Sequence, residues 1–488
     1  MRKSFDVLLL FILVMARIRI DTLADLVLPN RHADVRRLVE GWWPVSSFNL
    51  LEEWLSDPVT LMLISTAITL LIGYVLVDLL TDFLSQQTSY RLKLGLIYSI
   101  VVVLVFGKAF LLIGLRHITE PSAYTHDGGV IQTEVTIDYF LSGKSPYIEN
   151  YLDTAMATWG IEFRTALHHY PYLPWTFVFP TPFYLLSQAT LGWYDQRFIY
   201  LVLFGLTLIL AQSLAPTRSD KLMIVMLMGL NPILASDVIF GQNDSFILFW
   251  ILLGVWFLRL RDNALLGTQA DSLHPPASSN LADGSSSSIQ QTPKATRYLI
   301  LANLAYGLAC ASKPTAWFLA PFWALYLLKD NWGDQFIPPP SQWLTLFKLL
   351  MQRVWPIFIV MLVVVGPWAL WSPDALIDDV WRWSSGTADV PYQIRGWGLS
   401  NFVLAFQLVP DRLAFWPFWA TEILLATPIL LLTLWRQRRS NNLGQMLYGH
   451  VSLLFVFFYS SRFLNENYLG YLAGFLILAV LIDDEGTE

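Results

Sequence analysis

The chain has 488 residues, 55% hydrophobic and only 14% charged, with a formal net charge of −6 and a single cysteine; soluble domains carry roughly 25% charged residues. Apolar runs of about 18 or more residues recur, which excludes a soluble globular domain and predicts an all-α polytopic membrane protein. The acidic balance excludes a nucleic-acid partner, and Cys310 alone allows neither an intramolecular disulfide nor a thiolate metal cluster.

Arg2-Lys3 followed by the apolar run Phe5 to Met15 has the charge and core of a signal peptide but no convincing cleavage site, so it reads as a retained anchor or interfacial helix. Residues 1–90 form an N-terminal extension with one or two membrane segments. Candidate spans cover about 58–80, 92–115, 197–215, 221–240, 245–258, 298–312, 315–328, 354–371, 414–434, 446–460 and 468–482. Lys and Arg in short loops face the cytoplasm. That rule places Arg91/Lys93, Arg218/Lys221, Arg259/Arg261 with Lys294/Arg297, Lys329/Lys348/Arg353 and Arg436/Arg438/Arg439 inside. The loop 117–171 carries Lys144 and Arg164 against seven acidic residues, so it faces outside.

The apolar stretch 172–191 is long enough to span but contains Pro174, Pro180 and Pro182, with Pro171 before it. Prolines remove helix hydrogen bonds. Read as an interfacial or re-entrant helix within an outer loop 117–196, it leaves every basic loop inside. Lys108, within a span, is expected to snorkel to the outer edge. Residues 262–296, rich in Ser, Pro and Gln, read as a disordered cytoplasmic linker, and 483–488 as a cytoplasmic tail.

This topology gathers the unusual polar residues on the outer face. They are His126-Asp127-Gly128-Gly129 with Glu134, then Gly143-Lys-Ser-Pro-Tyr147, His168-His169-Tyr170-Pro171 and Arg197. Gly241-Gln-Asn-Asp244, Ser312-Lys313-Pro314 and Arg462-Phe-Leu-Asn-Glu-Asn467 complete the set. Plainer readings exist: Asp127 as a turn cap, Gln242-Asn243-Asp244 as a helix N-cap, Lys313 as part of a break between helices. His168 and His169 are adjacent and do not share a face, so without a third ligand they predict no metal site. Yet Arg197, Lys313 and Arg462 stand near an outer boundary against the positive-inside bias, which an anionic ligand would explain.

The order of these features resembles the GT-C superfamily of integral-membrane glycosyltransferases. A carboxylate after a span (Asp127), an outer loop with an interfacial helix (172–191) and an Arg opening the next span (Arg197) carry the resemblance. Glu134…Gly143-Lys-Ser-Pro-Tyr147 and Asn231-Pro232…Gly241-Gln-Asn-Asp244 look most like its polyprenol-phosphate-mannose-dependent mannosyltransferases. Asn465-Glu466-Asn467 stands where related enzymes carry a His-Glu-Lys-type outer motif. The resemblance covers roughly residues 90–482, within a GT-C-like catalytic domain 91–482 with a long first outer loop. It implies an inverting transfer of a sugar, mannose first, from a polyprenyl-phosphate donor to a lipid-linked, glycan or protein acceptor at the outer face of the cell membrane.

Under that reading Asp127 is the general base. Glu134, Gln242 and Asp244 hold sugar or acceptor hydroxyls, with His168, His169, Tyr170 and Asn243 completing the substrate surroundings. Arg197, Lys313 and Arg462 bind the donor phosphate, and Glu466 orients Arg462. No second acidic residue follows Asp127 at +1 or +2, so no catalytic metal and no cofactor are expected. The rival class is a transporter or lipid flippase, which predicts ionisable groups near the membrane midplane.

Overall fold

Asp57 and Pro58 start the first long apolar helix, Pro58–Leu79. The Asp57 carboxylate accepts from Thr60 N at 2.8 Å, and Pro58 takes the first helical position, where a missing N–H costs nothing. The same local logic, apolar length between caps and prolines, repeats along the chain. The structure is a computed structural model describing residues 5–24, 28, 30–52, 56–158, 164–273, 292–329, 331–332 and 338–482, without the side chains of 127, 164 and 267–273. The expected tail 483–488 and the middle of the expected linker lie outside the described residues.

Among the described residues, six helices are long and apolar enough to cross a membrane: Pro58–Leu79, Gln86–Ile118, Arg197–Leu214, Pro340–Val364, Phe418–Arg439 and Leu443–Ser460. Arg218–Gly229 and Pro232–Phe240 form a further, broken segment bent by 52°. Asn231 caps its second half, its side-chain oxygen accepting from Ile233 N and Leu234 N, both at 3.0 Å. The chain is an all-α, multi-pass membrane protein. Strand pairing among the described residues is confined to Arg395–Gly396 beside Phe463–Leu464.

Residues 172–191 form two short helices, Trp175–Val178 and Thr181–Leu191, broken at Pro180. At about 1.5 Å per residue the longer covers about 16 Å, half the hydrocarbon thickness. The stretch 315–328, read from sequence as a span, is also too short. It splits into a 3-10 segment, Pro314–Leu319, and an eight-residue helix, Ala320–Leu327. Prolines at 314 and 321 set that break. The linker start also moves: the Asp244–Leu273 helix runs past 262, where Asp262 accepts from Lys329 Nζ at 2.8 Å and from Tyr326 Oη.

The N-terminal extension packs into the same buried core as the rest. Buried charges tie the Phe5–Ala24 helix to it. Arg17 donates to Ser236 Oγ at 2.7 Å and lies 3.5 Å from Asp21. Lys108 does not snorkel: its ammonium donates to Thr60 Oγ1 at 2.6 Å and lies 3.8 Å from Asp21. Burying a charge is tolerable only where it is paired, and Asp21 comes from a helix whose position the sequence did not reveal.

Candidate functional site

The loop that carries Asp127 is fixed by its backbone. His126 N donates to Phe240 O at 2.9 Å, and one wide π-helical turn, Asp127–Ile131, then leads into the Gln132–Leu141 helix. Thr133 Oγ1 donates to Gly128 O at 3.1 Å and Tyr200 Oη to Gly129 O at 2.6 Å. Backbone contact requires glycine at 129, and at 128 the space is taken by a side-chain hydroxyl. A Cβ on Gly129 would lie 1.9 Å from Gly241 O, and one on Gly128 would lie 2.8 Å from Tyr172 Oη. Gly241 itself turns the chain at φ +88°, ending the Pro232–Phe240 helix. The Asp127 side chain lies outside the described residues; its position here is that of its backbone.

From Gly241 the chain passes through Gln242 and Asn243 to Asp244, which opens the Asp244–Leu273 helix. Lys313 Nζ donates to Asp244 Oδ1 at 2.7 Å, and Asn467 Nδ2 donates to the other carboxylate oxygen. The same ammonium lies 5.6 Å from the Tyr172 ring centroid and 5.0 Å from that of Tyr468, within cation–π range. Backbone hydrogen bonds hold the lysine loop to the segment before the short interfacial helices: Leu173 N to Ser312 O at 3.0 Å and Trp175 N to Ala311 O at 3.1 Å. Tyr172 thus reaches Gly128 with its hydroxyl and Lys313 with its ring.

A cavity of about 1030 Å³ has His126, Gln242 and Glu466 on its wall. Asp34, Glu120 and Asp237 line it too, and its described lining contains no Lys or Arg. The structure therefore brings together the Asp127 backbone, Gln242, Asn243, Asp244, Lys313 and Glu466. Asp34 and Ile20 show that the N-terminal extension builds part of the same wall.

Other expected site residues are held elsewhere. Arg197 is fully buried: Nε and Nη2 donate to Asp195 at 2.8 and 2.7 Å, and Nη1 donates to Tyr124 O at 2.9 Å. Glu134 receives a two-pronged grip from Arg116, at 3.0 and 2.7 Å, and accepts from Gln196 N at 2.8 Å. Arg116 also donates to Asp195 at 2.8 Å, closing a buried four-residue network. Burial alone would raise the Asp195 carboxyl, but Arg197 and Arg116 override it and hold it well below the usual carboxylate range. Arg197 and Glu134 are thereby bound into one buried ion-pair network.

Arg462 is likewise engaged. Its guanidinium donates to the carbonyls of Tyr392, Ala414 (3.0 Å), Leu413 (3.0 Å) and Arg412 (3.3 Å). Burial lowers its pKa to about 10, against the opposing charge of Asp411. Carbonyls, not Glu466, orient it, and it does not present a fork to a phosphate. His169 and Tyr170 face Asp379. His169 Nδ1 is 2.8 Å from Asp379 Oδ1, and Tyr170 N donates to Asp379 Oδ2 at 2.8 Å. Burial raises the Asp379 carboxyl to about 6, with His169 and the Tyr170 N–H opposing. His168 is exposed.

Tyr172, Tyr468 and Asp237 were not selected from sequence, and Asn467 was named only as part of the Asn465-Glu466-Asn467 run. Asp237 had a legible signal, being the one carboxylate in the apolar run 232–240. Tyr172 and Tyr468 had none among so many aromatics. No family model, curated protein or solved structure matches the chain.

Proposed function

We propose that this chain is an inverting membrane glycosyltransferase, moving a sugar, with mannose favoured by the resemblance, from a polyprenyl-phosphate donor to a hydroxyl of a lipid-linked, glycan or protein acceptor at the outer membrane face. One observation carries this reading. The chain runs from His126 on the cavity wall to Gly128 beside Tyr172 Oη, with Asp127 between them, and Tyr172 in turn underlies Lys313. The Asp127 backbone thus joins the wall of a cavity whose described lining carries acidic groups and no Lys or Arg, suited to hydroxyls, to the Tyr172 segment that contacts an ammonium, suited to a phosphate.

In the reaction, Asp127 takes the proton of the acceptor hydroxyl as its oxygen bonds to the anomeric carbon. The bond from that carbon to the phosphate oxygen breaks, and the electron pair leaves with the phosphate. Lys313 stabilises the charge gathering there, moving between Asp244 and the phosphate. Asp244 holds the lysine in place before the donor arrives, and Gln242 and Glu466 offer partners to acceptor hydroxyls. Arg197 and Arg462 support the site without touching the donor.

The test is sugar consumption by purified protein offered a panel of polyprenyl-phosphate sugars, with and without lipid-linked acceptors. Asp127→Asn retains the donor but loses transfer. Near wild-type transfer by that variant, or no turnover of any donor by the wild type, would sink the reading.

A further inference from the structure

The first long loop and the segment after the Gly366–Trp371 helix meet at three side chains to which the proposed transfer assigns no step. His169 Nδ1 lies 2.8 Å from Asp379 Oδ1 and 3.6 Å from Asp378 Oδ2. One donor atom from each residue falls within 4.8 Å of the other two. Metal–ligand bonds of about 2.0–2.2 Å at tetrahedral angles put neighbouring ligand atoms about 3.4 Å apart. The two distances from His169 Nδ1, 2.8 and 3.6 Å, bracket that spacing.

The other end of each group is tied down. His169 Nε2 faces Val390 O at 3.1 Å, the kind of partner that a metal-bound imidazole has on its remote nitrogen. Asp379 Oδ2 accepts from Tyr170 N at 2.8 Å. Asp378 Oδ1 is 3.6 Å from Arg382 Nη1. Thus the three atoms converge while backbone groups hold the far sides of His169 and Asp379, and the Arg382 guanidinium lies near that of Asp378. A proton on Nδ1 can bridge to Asp379 but not to Asp378, whose oxygen at 3.6 Å is beyond hydrogen-bond range. A divalent cation satisfies both carboxylates at once. The side chains of His169 and Asp379 are 7% and 3% exposed, whereas that of Asp378 is 28% exposed, which leaves an entry path.

We propose that His169 Nδ1, Asp379 Oδ1 and Asp378 Oδ2 bind one divalent transition-metal ion, Zn²⁺ or Mn²⁺, which clamps the first long loop to the 366–392 segment. Imidazole with carboxylates suits these ions, while magnesium and calcium favour oxygen ligands throughout. The ion's place is structural: three residues after His169 comes Tyr172, whose hydroxyl and ring reach Gly128 and Lys313. The proposal does not rest on the glycosyl-transfer reading, because its readout is metal binding.

The test uses the full, untagged chain in detergent, stripped with a chelator and titrated with ZnCl₂, MnCl₂ and MgCl₂ while heat and thermal unfolding are followed. The expected result is one equivalent of zinc or manganese bound, a raised melting temperature and little response to magnesium. Asp378→Asn weakens binding by at least about tenfold, and His169→Gln abolishes it. His168→Ala, altering the exposed neighbour, leaves binding intact. If His169→Gln fails to fold, the partly exposed Asp378 still carries the test. Absence of zinc and manganese uptake by the wild type overturns the proposal. So does uptake unchanged by Asp378→Asn, or uptake lost with His168→Ala.

Discussion

Lys313 and Arg197 are both buried cations in the same part of the fold, and their surroundings differ in kind. Arg197 donates to Asp195 with two nitrogens and to the Tyr124 carbonyl with a third, and the network extends through Arg116 to Glu134. Among the described residues, Lys313 is paired with the Asp244 carboxylate and has the faces of Tyr172 and Tyr468 beside it. A fork whose donors all end on fixed oxygens is a structural element. An ammonium resting on ring faces has partners that a phosphate oxygen can replace, each desolvated cation–π contact contributing about 2 kcal/mol or more. Buried charge at a membrane boundary thus marks a ligand site only where the charge keeps exchangeable partners.

The comparison can be broken most forcefully beside Lys313. Asp127→Asn should lower transfer by about 10²–10⁴-fold, the usual effect of losing a general base, while donor binding and melting temperature hold. Single-turnover assays beside donor-binding titrations separate the two. An equal loss of both would make Asp127 a structural residue.

Asp195→Ala attacks the other side of the comparison. Removing the carboxylate strands Arg197 and part of Arg116 in a dry interior, at a cost of about 3–5 kcal/mol. Thermal unfolding in detergent should show the loss directly. A variant as stable as wild type would mean that water reaches the network.

Lys313→Ala should weaken donor binding by about 1.5–3 kcal/mol, the range for hydrogen bonds to charged groups. Lys313→Arg should recover part of that. Unchanged donor affinity in both variants would move the phosphate elsewhere. By contrast, Arg462→Lys should leave donor affinity alone and cost about 1 kcal/mol of stability by loosening its hold on the 412–414 carbonyls. A weakened donor with normal melting would restore Arg462 as a phosphate ligand. The smallest effect is expected at His168, where exposure limits His168→Ala to about 0.5 kcal/mol in melting experiments.

Several candidate site residues were legible because they break a local rule. Asp127 follows an apolar run, Lys313 precedes a proline between two apolar segments, and Gln242-Asn243-Asp244 interrupts the helices around 232–240 and 245–258. Their partners were not legible. Asp244 and Lys313 are 69 positions apart, Asp244 and Asn467 are 223 apart, and His169 and Asp379 are 210 apart. The pairing of Arg197 was not legible although Asp195 is only two positions away, because adjacency in sequence does not show which donors a guanidinium commits. The short Ala320–Leu327 helix was misread as part of a span because apolar composition does not distinguish a buried half-length helix from one that crosses.

The sequence by itself determined the class of molecule: a helical, multi-pass membrane protein, its helices bounded by prolines, glycines and caps. Those are local properties, fixed by apolar length and backbone chemistry within a few turns. Tertiary structure alone decided which charges belong to the framework and which remain available. A buried charge is stable or reactive according to the oxygens and ring faces around it in space, and here those come from segments far apart in the chain, including the N-terminal helices that wall the cavity.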